Sequence, residues 1–116
     1  NIIIKGHNFE VTDAIRNYAD QKLSSLFNNL SLSNIDNIDV ELSAVTRHHK
    51  HGEIYKASAT VPLGSRKIHV ESTTNDMYKS IDKLKDELAE EIVDSSDRKR
   101  SLMRRVARKL DRKSVV

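Results

Sequence analysis

Three groups of side chains in this 116-residue sequence have types and spacing that could do chemistry. The run RHHKH, Arg47 to His51, brings together imidazoles, which are common metal ligands. Adjacent histidines diverge on a strand, the chain has no cysteine to complete a set, and Glu53 is the only close carboxylate. The run therefore reads as a loop that meets phosphate or solvent, and neither a metal nor a cofactor is expected. Asp76 and Asp82 form a carboxylate pair of the kind used in general acid–base work, but six residues apart on a helix they point in different directions. Asp76 is better placed as a helix cap. Tyr78 has a ring that could stack on a base, yet it lies beside an apolar stripe and reads mainly as core packing. With no P-loop, no glycine-rich phosphate cradle and no Ser-His-Asp set, the sequence does not read as an enzyme.

The third group is the largest. In SSDRKRSLMRRVARKLDRKS, nine of the chain's twenty lysines and arginines fall between Arg98 and Lys113. The guanidinium is a planar, multidentate donor suited to phosphate and to stacking on bases. Residues 1–94 hold eleven Lys or Arg against fifteen Asp or Glu, a net −4, whereas 95–116 hold nine against two, a net +7. The basic balance thus belongs to a terminal arm, and it stands directly behind an acidic helix face, Asp86, Glu87, Glu90, Glu91 and Asp94. That face reads either as solvated or as a dock that masks the arm when nucleic acid is absent.

The elements that must position these groups follow from periodicity. Ile2 to about His7 is a short apolar strand, in which Gly6 allows a turn or bulge. Thr12 caps a helix from about Asp13 to Leu30, with Ile15, Tyr18, Ala19, Leu23, Leu26, Phe27 and Leu30 on one stripe. After the polar loop SLSNIDN, Ile38, Val40, Leu42 and Ala44 alternate with polar residues as a half-buried strand. A second alternating run, IYKASATVPL, turns at LGSR into a third, with Ile68, Val70 and Ser72 facing one way. A helix then begins near Asn75 and Asp76, its stripe running through Met77, Ile81, Leu84, Leu88 and Ile92. The expected fold class is α+β in the order β-α-β-β-β-α, a four-stranded sheet with both helices packed on one face. Residues 1–94 form the domain, and 95–116 form a basic arm whose Leu102, Val106 and Leu110 spacing suits a helix on binding, since a few isolated turns are marginal in water.

Aromatics are 4% of the chain and tryptophan is absent, so the core must come from Ile, Val, Leu and Ala. No apolar run approaches the ~20 residues of a membrane span, and no signal segment leads the chain. The arm's stripe has no bulky aromatic anchor, which argues against a membrane surface. The absence of cysteine suits a reducing compartment, and the expected location is the cytoplasm.

Two stretches, GHNFEVTDAIRNYADQKL and, after three strands, DMYKSIDKLKDEL, resemble the short ribosome hibernation promoting factor and ribosome-associated inhibitor A family, over roughly residues 2 to 94. The resemblance implies a fold similar to double-stranded RNA-binding domains. It also implies a non-enzymatic role: binding the small ribosomal subunit at the tRNA and mRNA decoding region and inhibiting translation by steric occupancy under stress. Its contacts would be basic side chains on ribosomal RNA phosphates. Arg16 and Lys22 keep basic positions of the first helix, but Ser25, Glu87, Glu90, Glu91 and Asp94 stand where the family usually has basic or polar residues. Either the missing cations have moved to the arm, the reading favoured here because the arm is rich in arginine, or ribosome binding has been lost. The expected RNA-binding set is Arg16, Lys22, Arg47, Lys50, Arg66, Lys67, Lys79, Lys83, Arg98, Lys99, Arg100, Arg104, Arg105, Arg108 and Lys109. The expected partners are the small ribosomal subunit and its RNA, with no membrane and no small-molecule substrate, the protein being monomeric off the ribosome. The competing reading is a general RNA-binding or RNA-chaperone module that uses the same arm.

Overall fold

A computed structural model describes the backbone of residues 1–32, 35–46 and 52–114 and, Thr46 apart, the side chains of these through Ser95. The order is β1 (Ile2–His7), α1 (Asp13–Asn29), β2 (Ile38–Thr46), β3 (Glu53–Leu63), β4 (Arg66–Thr74) and α2 (Met77–Ser114). The strands lie side by side in sequence order, β1 parallel to β2 and the other pairs antiparallel. This is the α+β arrangement that the alternating and helical periodicities predict.

The register shows why one sheet face is apolar. Ile4 pairs with Val40, Val40 with Ala59 and Ala59 with Val70, so an alternating set of every strand points the same way. Both helices contribute to the single core on that face: Ala19, Leu23, Leu26 and Phe27 from α1, and Met77, Ile81, Leu84, Leu88 and Ile92 from α2. Leu23, Leu42, Ile81, Leu84 and Leu88 are fully enclosed, and burying a Leu or Ile side chain contributes roughly 1.5–3 kcal/mol. The β3 positions on this face are Ala57, Ala59 and Val61, all buried, and α2 lies against β3 and β4.

Local chemistry sets the boundaries. The Thr12 hydroxyl accepts a hydrogen bond from the Ile15 N–H at 3.3 Å and starts α1. At the other end the Ser31 N–H donates to Asn28 O and the Leu32 N–H to Phe27 O, the paired closure of a Schellman motif. Ser31 holds the left-handed position of that motif with φ 57°. The loop expected to be polar is partly a lid, for Leu32 and Ile35 pack against the core. Gly64, with φ 62°, opens the two-residue turn between β3 and β4, a conformation glycine adopts at little cost. Gly6 is needed for a different reason than a turn or bulge: it sits inside β1, and a Cβ there would meet Phe9 O at 2.3 Å.

α2 departs from expectation in length. It does not stop near residue 94 but continues as one 38-residue helix to Ser114. Isolated turns are marginal because the first turn is costly to nucleate, whereas extension from a docked helix adds a hydrogen bond for each residue fixed. The body-anchored half of α2 supplies that nucleus.

Candidate nucleic-acid interface

The start of α2 is fixed by its own first residues. Asp76 Oδ1 accepts from the Tyr78 N–H at 2.8 Å, and Asp76 O accepts from the Ser80 N–H at 2.9 Å, so Asp76 is the cap the sequence suggests. Ser80, fully buried, donates to Tyr55 O at 2.7 Å and lies 2.7 Å from the Thr74 hydroxyl, which ties this turn to β3 and the end of β4.

Against this turn stands α1. Tyr18 and Tyr78 meet edge to face with centroids 4.9 Å apart, and Tyr18 Oη donates to Asp82 Oδ1 at 2.6 Å. Lys22 Nζ lies 4.0 Å from Asp82 Oδ1 and 5.4 Å from the Tyr18 ring centroid. The hydrogen bond to Asp82, followed by desolvation, pushes the Tyr18 phenol up to about 12. Asp82 and Asp76 therefore do separate jobs and form no dyad. The contacts 18 to 78 and 22 to 82 also show that the two helices run in the same direction here.

Of the expected cations, Lys22, Lys79 and Lys83 gather at this helix pair, Lys83 lying 3.9 Å from Glu87 one turn on. Arg16 is exposed as a residue, but its Nη1 donates to Ile4 O at 3.2 Å and so fastens α1 to β1. Arg66 and Lys67 lie elsewhere, lining a groove with His69, Glu91 and Ser95 between the start of β4 and α2. They border the stretch from which the arm leaves. Arg98, Lys99, Arg100, Arg104, Arg105, Arg108 and Lys109 lie on the backbone of α2, with side chains outside the described residues. Arg47 and Lys50, with the whole RHHKH run, also lie outside the described residues.

The structure thus sorts the cations into two zones. At 1.5 Å per residue, Lys79 and Arg98 are about 28 Å apart along α2. Between them lies the acidic stretch, with Asp86, Glu90, Val93 and Asp94 exposed. Glu87 differs from its neighbours: it accepts from the Ser72 hydroxyl at 2.9 Å, and Ser72 is only 3% exposed. A residue that looks like a lost cation in the sequence is the acceptor for a buried hydroxyl on β4. Because the arm continues the helix axis, it leads away from the acidic face of its own chain and does not fold back as a mask.

Sequence reasoning missed the Tyr18–Asp82 and Ser72–Glu87 pairs, which join residues distant in sequence and leave no local pattern. It also missed a polar cluster on the open sheet face. There His69 Nδ1 is 2.8 Å from Thr60 Oγ1 and its Nε2 3.0 Å from Glu71 Oε1, while Lys56 Nζ is 3.3 Å from Glu71 Oε2. The hydrogen bonds from His69 and then from Lys56 hold the Glu71 carboxyl below its usual range. Strand alternation places all four on one face, which is the signal that could have grouped them. Among the described residues no cluster of His, Cys, Asp and Glu could hold a metal, and no helix is long and apolar enough to cross a membrane.

Comparison with known proteins adds to this geometry. A family described as sigma 54 modulation protein / S30EA ribosomal protein matches residues 2–100. A ribosome hibernation promotion factor of Lactococcus lactis is 33% identical over 89 residues, 77% of this chain and 45% of that protein. This chain therefore spans less than half the length of that relative. A ribosome hibernation promoting factor of Salmonella typhimurium is 28% identical over 95 residues, 82% of this chain and 92% of that protein. Among solved structures, a ribosomal subunit interface protein from Coxiella burnetii shares the fold with a TM-score of 0.71 at 21% identity, over 83% of this chain and 97% of that one. The N-terminal domain of Protein Y from Thermus thermophilus gives a TM-score of 0.56 at 27% identity, over 77% and 90%.

Proposed function

The chain belongs to the sigma 54 modulation protein / S30EA ribosomal protein family, and from that premise we propose that it is a ribosome hibernation factor. It binds the small ribosomal subunit at the tRNA and mRNA decoding region and inhibits translation by occupying that space. The observation that carries the proposal is the family match over residues 2–100, together with the similarity to relatives that are named for ribosome hibernation. The two cationic zones give it a physical form. Affinity for RNA comes largely from cations that neutralise phosphates and release counterions, and α2, as one 38-residue helix, spaces such cations along a molecule 69 Å in its longest dimension. A ligand that engages both zones must bridge the acidic stretch, which suits a large folded RNA better than a short strand. Lys22, Lys79 and Lys83 would meet it at the helix pair, and Arg66, Lys67 and the arm at the far zone. Attachment and exclusion need neither turnover nor cofactor. The protein acts in the cytoplasm, as a monomer off the ribosome.

A general RNA-binding or RNA-chaperone role is the second reading, favoured by an arm that extends beyond the packed body. Co-sedimentation with purified small subunits separates the two. The hibernation reading requires retention on subunits that tRNA competes away, and equal binding to an unrelated RNA of the same length would refute it. Removing residues 97–116 should weaken binding and flatten its dependence on log salt by about 0.7–0.9 for each lost phosphate contact. An unchanged slope would show that the arm does not meet RNA.

A further inference from the structure

Four large apolar side chains are exposed among the described residues: Ile3, Val45, Tyr78 and Val93. Tyr78 is the one aromatic among them, 40% exposed, although its place beside the apolar stripe suggests packing. Its position is also fixed by its neighbours. The backbone N–H is bound by Asp76, and the ring rests edge to face on Tyr18 at 79°. Tyr18 is fixed in turn by Asp82 and covered by Lys22. A ring held this way loses little freedom when something stacks on it.

The surroundings indicate what would stack. Lys22, with its side chain 40% exposed, and Lys83, 54% exposed, lie on the same helix pair, and the exposed Lys79 follows Tyr78 directly. An exposed aromatic ring beside lysines is the arrangement by which proteins hold single-stranded nucleic acid, the ring taking a base and the cations the flanking phosphates. Asp76 and Asp82 beside the ring disfavour a phosphate lying over it, so a base fits there better than a backbone. Val93 lies instead among Asp86, Glu90 and Asp94, and Ile3 pairs in register with Asp39.

We propose that Tyr78 is a stacking platform for one unpaired base of the bound RNA. The proposal rests on the RNA-binding reading and adds to it the kind of nucleotide that the body of the protein takes. RNA recognised by shape along a duplex has no need of such a ring, whereas a splayed-out base in a loop or junction does.

The test compares the full chain with Tyr78→Phe, Tyr78→Leu and Tyr78→Ala, using purified small ribosomal subunits and, separately, a mixed-sequence single-stranded RNA decanucleotide. Thermal melts establish that each variant is folded. Tyr78→Phe should bind within about twofold of the parent, because it keeps the π-face. Tyr78→Leu and Tyr78→Ala should lose about 5- to 150-fold, the effect of one stacked base, with the salt slope unchanged because no phosphate contact is removed. Leucine keeps apolar volume against Tyr18, so recovery by Tyr78→Leu would mean that the ring only packs and would overturn the proposal. Parental affinity in Tyr78→Ala on both RNAs would overturn it too, while leaving ribosome binding intact. If the parent is not retained on subunits but binds the decanucleotide through Tyr78, the platform stands and the hibernation reading fails.

Discussion

Replacing Glu87 should destabilise the protein through Ser72, a partner fifteen residues away on another element. Ser72 is 3% exposed and donates to Glu87 at 2.9 Å, so Glu87→Ala removes the acceptor of a buried hydroxyl. A hydrogen bond to a charged group is worth about 1.5–3 kcal/mol. Glu87 has 38% of its side chain exposed, and solvent screening brings the figure below that range, to about 1 kcal/mol. The Lys83 pair adds about 0.3–0.5 kcal/mol. The total, roughly 1.5 kcal/mol, lowers the melting temperature by about 6–12 °C, at 4–8 °C per kcal/mol for a body of this size. The assay is a double-mutant cycle by thermal or urea unfolding with Ser72→Ala, which removes the donor. In that background Glu87→Ala should cost only the ion-pair share, leaving a coupling of about 1 kcal/mol. Glu87→Gln keeps an acceptor oxygen and should fall near the parent. An equal cost for Glu87→Ala in both backgrounds, or a Glu87→Gln loss as large as that of Glu87→Ala, would refute the assignment. The result bears on function, because a lysine placed there to restore a basic helix would leave Ser72 without its acceptor.

Three further outcomes follow from named contacts. Tyr18 should titrate near 12 by ultraviolet absorbance, and Asp82→Asn should bring it back toward 10. Because its folded pKa is raised, this contribution to stability is present below about pH 10 and lost as pH rises through about 12. The Glu71 carboxyl is depressed by His69 and Lys56, so its contribution is present above the ordinary carboxylate range and lost as pH falls through its lowered folded value. Glu71→Gln should therefore lower the melting temperature at neutral pH, and its difference from the parent should shrink on acidification below about pH 4. Ser31 holds a left-handed backbone with φ 57°, and Ser31→Gly should stabilise by up to about 1 kcal/mol, read as a rise in urea midpoint at constant slope.

Much of the fold is legible in the sequence because its signals are local. Period-two alternation at Ile38, Val40 and Leu42 and at Ile68, Val70 and Ser72 marks strands with one buried face. The stripe from Met77 to Ile92 marks a helix, and Thr12 and Asp76 mark where helices begin. The length of α2 was less legible, since the sequence read the arm as a helix without a nucleus, and only attachment to the docked half supplies one. For the candidate cations, the sequence gives the residue types but not their grouping in space. Counting charges puts Arg16 beside Lys22, whereas the fold turns Arg16 onto Ile4 O and Lys22 onto Asp82.

By itself the sequence determined the element order, the buried faces, the family resemblance and the separation of a basic arm from an acidic body, all of which depend on residue type and short spacing. The tertiary structure decided the rest. It brought Tyr18 against Tyr78 and Asp82, set Glu87 as the acceptor for Ser72, and placed Arg66 and Lys67 near the root of the arm. Each of these joins residues that meet only after the helices settle on the sheet. Their energies depend on burial and distance, and neither exists in an unfolded chain.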